Sequence, residues 1–176
     1  NNSPDFLSAF FIGDALDEAF EFATPSPDDI RRRWKSDVQN LNYTDDSILV
    51  ASSIHSLEVS TRNTPKSAQL LDSAALDFLA DWWESRYLRG IGVTTEAAIP
   101  QITEHRHKHG WLVPFSIDET DYPTDISAGN GILSRVLPFG LGPAIGKTST
   151  GLNLERFLQL TQLHEDGHAS AGVLVE

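Results

Sequence analysis

Helix-start chemistry recurs along this chain, and strand chemistry does not. Ser3-Pro4-Asp5 offers a capping hydroxyl, a proline suited to the first helical position and an acid for the first turn. Ser26-Pro27-Asp28-Asp29 repeats the arrangement, Thr44 precedes Asp45 and Asp46, and Thr64-Pro65 opens a further stretch. Apolar residues follow these starts at helical spacing: Leu7, Phe10 and Phe11, then Ile30 to Trp34, then Ile48, Ala51 and Leu57 on one side. Leu70, Leu71, Leu76, Leu79, Trp82 and Trp83 form a broader apolar face. Arg89-Gly90-Ile91-Gly92-Val93 is a glycine-punctuated connection, and Thr94 caps a helix to about Lys108 that Pro100 is placed to kink or split. Gly110 is a C-cap candidate, residues 111–129 are loop-like, and helices are expected from Asn153 or Leu154 through Thr161 and after Gly167. No stretch alternates at the strand period for a useful length. The expected fold class is all-α, a multi-helix bundle with long functional loops.

A chain of 176 residues is one domain's worth, enough to bury a real core. An apolar fraction of 40% and a charged fraction of 22% are those of an ordinary globular domain rather than a disordered one. No apolar run reaches membrane-spanning length, and Phe6 to Ile12 lacks the flanks of a secretory leader. Twenty-five acidic residues against 13 basic give a net charge of −12, which disfavours nucleic acid as a partner. An anionic ligand must therefore be held by local donors. With no cysteine there are no disulfides, thiolate metal sites or cysteine nucleophiles, and a cytoplasmic location is expected. The chain has no methionine, and its apolar end, Ala169 to Glu176, stops without a cap or breaker. Both features suggest a piece of something longer.

Several motifs carry possible chemistry, each with a plainer alternative. Thr44-Asp45-Asp46-Ser47 suits a helix N-terminus, where unpaired N–H groups favour negative charge. The same geometry can aim a hydroxyl and two carboxylates into one cleft, a hard-oxygen set suited to Mg²⁺ or Mn²⁺. In Glu104-His105-Arg106-His107-Lys108-His109, His105 and His109 share a helix face and His107 does not; cations gathering at a helix C-terminus explain the cluster more simply. Gly142 to Thr148 looks like a phosphate-binding loop, but its glycine spacing is wrong. Ser127-Ala128-Gly129-Asn130-Gly131 can form an anion-binding nest or simply turn the chain before a helix. Arg135 reads as a ligand contact or a salt-bridge partner, Glu21 as a site residue or a solvated acid, and His164 as a site residue or a surface histidine.

Taken in order, these segments resemble the ADP-ribosylglycohydrolase family. Gly13-Asp14-Ala15-Leu16 with Glu21-Phe22 is similar to that family's opening motif, Thr44-Asp45-Asp46-Ser47 to its metal motif, and Gly90 to Thr95 to a glycine-rich segment near the pyrophosphate. Ser127 to Gly131, followed by Arg135 and Pro138, resembles its SxGNG segment, and Leu163-His164 falls where the family usually has Thr-His. Asp17, Ser134 and Leu163 depart from the usual residues. The resemblance implies an orthogonal all-α bundle and a hydrolase that removes ADP-ribose from a modified protein side chain, cutting an N- or O-glycosidic bond. It implies two divalent cations, Mg²⁺ or Mn²⁺, with Thr44, Asp45 and Asp46 as metal ligands. Glu21 would be the gate or general acid/base, while Ser127, Gly129, Asn130, Gly131 and His164 would bind the substrate. The expected partner is ADP-ribose or an ADP-ribosylated protein. The family's later Asp-rich metal segment has no counterpart before Glu176, so residues 1–176 form one family-type domain without it. The chain alone is accordingly expected to be inactive, completed by a C-terminal part of the same protein. The alternative is a catalytically inactive ADP-ribose-binding or structural relative.

Overall fold

The computed structural model describes residues 3–20, 23–36, 42–62, 68–122, 131–141 and 154–161. Seven α-helices and no strand occur among these residues, in the order α1 (Ser3–Asp17), α2 (Pro27–Ser36), α3 (Asp45–Arg62), α4 (Ala68–Ser85), α5 (Val93–His109), α6 (Gly131–Leu141) and α7 (Leu154–Gln159). Single 3₁₀ turns extend α1 at Glu18–Phe20 and interrupt the long loop at Glu119–Asp121. The all-α expectation is met. The expected helix after Gly167 lies outside the described residues.

The helix starts form for the reasons their residues supply. Before α2, the Ser26 hydroxyl accepts from the Asp29 N–H at 3.2 Å, and the Asp29 carboxylate accepts from the Ser26 N–H at 3.0 Å. This reciprocal pairing satisfies two donors that a helix N-terminus leaves open, and the Ser26 hydroxyl, donating to the same carboxylate at 2.6 Å, joins the Ser26 N–H in holding the Asp29 carboxyl below its usual range. At α5 the expected start shifts. Gly92, not Thr94, is the N-cap, and it offers no side-chain cap. Thr94 and Thr95 are instead buried in the first turn. Pro100 does not split α5, which runs unbroken from Val93 to His109; Pro100 and Glu96, whose carbonyl loses its helical partner, are both exposed to water. Gly110 ends the helix at φ 59°, its N–H donating to the Arg106 carbonyl at 2.9 Å.

Helix α3 is the centre of the packing. It lies against α4 and α6 and also touches α1, while α4 packs on α5 and α6 holds α7. The sequence suggested one buried stripe through Ile48, Ala51 and Leu57. Those three are only half-buried, and the deepest positions are Leu49, Val50, Ser52, Ser53 and Ser56. A helix with neighbours on several sides has no solvent face broad enough to display a stripe. Ser52, Ser56 and Ser60 fit this burial because their hydroxyls donate to carbonyls three residues earlier, at 2.9 to 3.0 Å, whereas the Ser53 hydroxyl has no hydrogen bond among the described residues. Their small side chains let α4 and α6 approach closely. The main core joins Leu49 to Leu76, Leu79 and Trp82 of α4, Ile99 and Ile102 of α5, Phe139 of α6 and Phe157 of α7. Residues 111–122, expected as a loop, are irregular but not loose. Phe115, Ile117 and Tyr122 enter the core, and the Tyr122 hydroxyl donates to the Thr161 carbonyl at 2.8 Å.

One charge sits deep in this packing. Arg135 of α6 is fully buried, its guanidinium 4.4 Å above the Phe157 ring and its Nη1 donating to the Thr161 hydroxyl at 2.5 Å. Nε and Nη2 make no hydrogen bond among the described residues. Burial pushes the guanidinium down to about 9, and the nearby Asp72 and Tyr122 oppose that shift. Asp72 is itself buried, which raises its carboxyl, while Arg156 at 3.2 Å and Arg135 pull it back. Arg135 thus behaves as the partner in a buried charge cluster.

Removing one member of such a cluster costs more than removing both. Asp72→Ala should lower unfolding stability by about 3–5 kcal/mol, because it leaves Arg135 uncompensated. Combining it with Arg135→Met should restore most of that loss, read as a non-additive double-mutant cycle in urea.

Candidate active site

The chain enters α3 through Thr44. Its carbonyl accepts from the Ile48 N–H at 3.5 Å and its hydroxyl accepts weakly from the Asp46 N–H at 3.4 Å, the geometry of an N-cap. The same hydroxyl donates to Asp14 Oδ1 at 2.5 Å, and the Thr44 N–H donates to Asp14 Oδ2 at 2.9 Å. The Ser47 hydroxyl adds a third donor to Asp14 Oδ2 at 2.5 Å. Asp14 lies in the last turn of α1, so one carboxylate fastens that helix to the start of α3. A carboxylate at a helix N-terminus is favoured by the macrodipole as well as by its donors.

The two following acids reach other segments. Asp45 is buried, and its Oδ2 accepts from the Gly92 N–H at 3.0 Å. Gly90, at φ 57°, makes the left-handed turn that delivers Gly92 to this position. Gly92 itself has an ordinary φ of −68°, and a Cβ there would meet Asp45 Oδ2 at 3.5 Å, a normal contact. Asp46 is half-buried, and its Oδ1 accepts from the Ser134 hydroxyl of α6 at 2.9 Å. Four separate segments therefore meet at the first turn of α3. An exposed aromatic rim stands beside it: Tyr43 and Tyr87 lie 6.3 Å apart, the Tyr87 hydroxyl donates to Asn42 at 2.8 Å, and Arg89 sits 5.6 Å above the Tyr87 ring.

Thr44, Asp45 and Asp46 follow one another into the first turn of α3, each bonded to a different segment, and Gly131 is buried at the start of α6. Glu21, Ser127, Gly129, Asn130 and His164 lie outside the described residues, as does the loop from Gly142 to Thr148. Sequence reasoning did not assign Asp14, Ser47, Gly92 or Ser134 to the site. Asp14 and Gly92 stood inside motifs already recognised, but nothing local showed that their polar groups point at α3.

The donor set suits a hard divalent cation in kind, since carboxylate and hydroxyl oxygens prefer Mg²⁺ or Mn²⁺ to softer metals. In number it is only a partial set. Among the described residues no three His, Asp or Glu side chains are grouped to hold an ion. Histidines 105, 107 and 109 belong to the far end of α5 and take no part here.

Asp14 should be sensitive to loss of charge alone. Asp14→Asn keeps the shape but weakens acceptance from three donors, and it should cost about 2–4 kcal/mol. Ser47→Ala removes one donor and should cost about 1–2 kcal/mol, both read from denaturant midpoints.

The model of one protein family, ADP-ribosylglycohydrolase, matches residues 5–176. No curated protein and no solved structure matches the chain significantly. The matched span takes in all four segments that converge at α3: Asp14, Thr44 to Ser47, Gly92 and Ser134. With nearly its whole length covered, the chain belongs to the ADP-ribosylglycohydrolase family.

Proposed function

We propose that this chain binds ADP-ribose over the first turn of α3 and serves a metal-dependent hydrolase that removes ADP-ribose from a modified protein side chain. The observation that carries the reading is the convergence of α1, the Gly90–Gly92 turn and α6 on Thr44, Asp45, Asp46 and Ser47. A site assembled from four segments and locked by hydrogen bonds is preorganised, as a site for a charged, flexible ligand must be. Family membership supplies the ligand class.

In this reading Thr44, Asp45 and Asp46 would hold Mg²⁺ or Mn²⁺, two ions in the complete site. The bound ions would polarise a ribose hydroxyl or water and offset charge near the anomeric carbon. The chain's own groups do the rest. Asp14 fixes the Thr44 hydroxyl by accepting its hydrogen bond, so that the oxygen, which also accepts weakly from the Asp46 N–H, would turn its remaining lone pair to a ligand. Gly92 and Ser134 orient the Asp45 and Asp46 carboxylates by donating to one oxygen of each. Glu21 is proposed as the gate or general acid/base. Ser127, Gly129, Asn130 and Gly131 would bind ribose and pyrophosphate through backbone N–H groups, with His164 on the phosphate side. That mode needs no basic patch, which suits a net charge of −12. No described helix is long and apolar enough to cross a membrane.

A second reading is a non-catalytic relative that binds ADP-ribose without cutting it. It is favoured by the grouping of fewer than three His, Asp or Glu side chains as possible ligands among the described residues. Calorimetric titration of ADP-ribose with and without Mg²⁺ separates the two. The metal-dependent reading expects affinity to rise at least about tenfold with Mg²⁺, and that gain to vanish in Asp46→Asn. Equal affinity with and without metal, unchanged in Asp46→Asn, would favour the binding module. No binding in either condition would defeat both readings.

A further inference from the structure

The far end of α5 carries a second constellation that the ADP-ribose reading does not use. At a rise of about 1.5 Å per residue, His105 lies roughly 20 Å along the helix from Gly92. The His105 and His109 ring centres are 5.1 Å apart. Two imidazoles sharing one ion at ordinary zinc–nitrogen distances have centres roughly 4.5–5.2 Å apart. This spacing is therefore already that of a ligand pair.

The His105 ring is held in place before any ion arrives. It stacks on Trp111 at 5.8 Å and 26° and meets the edge of Phe115 at 5.4 Å. Its Nε2 lies 2.9 Å from the Val113 carbonyl, which can only accept, so Nε2 carries the proton and donates. The Nδ1 lone pair is then the one left for a ligand bond. A ligating histidine whose other nitrogen donates to a backbone carbonyl is the usual arrangement at metal sites. The His109 ring is exposed.

The surroundings are suited to a cation. Both rings line a groove of about 260 Å³ that Ser116, Asp118 and Glu104 share, room for an ion with its waters. The negative end of the α5 dipole is close, and the whole protein is acidic. The neighbouring positive charges are paired with carboxylates. Lys108, which also lines the groove, pairs with Glu104 at 2.5 Å, and Arg106 reaches Asp77, Asp81 and Glu84 of α4. His107 points to Glu84 at 2.9 Å and belongs to another face.

We infer that His105 and His109 form a two-imidazole site for a borderline transition-metal ion of the Zn²⁺ class, distinct from the oxygen site at α3. Imidazole donors select such ions over Mg²⁺. The inference stands whether or not the α3 site binds ADP-ribose.

The test is calorimetric titration of Zn²⁺ into the whole chain with excess Mg²⁺ present, so that hard-oxygen sites do not compete for the signal. One equivalent should bind, and His109→Gln should weaken it at least ~tenfold. His107→Gln should leave it unchanged. Cu²⁺ should quench fluorescence through Trp111, and His109→Gln should remove that quenching. His109 is exposed, so its variant is expected to fold as the parent does. No binding, retained affinity in His109→Gln, or an equal loss in His107→Gln would overturn the assignment.

Discussion

The Asp14 carboxylate accepts the Thr44 N–H, the Thr44 hydroxyl and the Ser47 hydroxyl, and the arrangement of the candidate site depends on this one group. It ties α1 to α3 through directional contacts, which apolar contact does not supply. With it, the rotation of the first α3 turn is fixed, and the Asp45 and Asp46 side chains can then meet donors on two further segments. Charge-assisted hydrogen bonds are among the stronger directional contacts available, and three of them here fall on one residue. The acidic cluster is met by the helix dipole and by several hydrogen-bond donors.

The core and the site are linked through α3. Its serines allow α4 and α6 to pack closely, and α6 in turn brings Ser134 to Asp46 on one side and Arg135 to Asp72, Phe157 and Thr161 on the other. Neighbouring residues of α6 therefore serve different ends. Ser134 orients a site carboxylate, and Arg135 anchors α7. A shift of α6 that relieved the buried guanidinium would also move the Ser134 hydroxyl, so the charge cluster and the site geometry are mechanically coupled.

The two candidate sites also divide the donor chemistry of the chain. Hard oxygens gather at the positive end of α3, where anionic groups are favoured, and imidazoles gather at the negative end of α5, where cations are. Their separation along α5 lets each be changed without disturbing the other.

Much of the fold was legible locally. Caps such as Ser26 and Thr44, the face through Leu76, Leu79 and Trp82, and the stop at Gly110 follow from propensities and hydrogen-bonding groups within a few residues. The site was legible as motifs: Thr44, Asp45 and Asp46 were identifiable because their spacing on a helix N-terminus is a local property. The sequence determined the helical class, the order of the helices and the oxygen-rich character of the site, since each depends on nearest neighbours along the chain. Only the tertiary structure decided that α3 is buried on several sides, that Gly92 rather than Thr94 starts α5, and that Asp14 and Ser134 complete the polar network. The physical reason is that these outcomes rest on contacts between residues 30 to 88 positions apart, whose geometry no local pattern encodes.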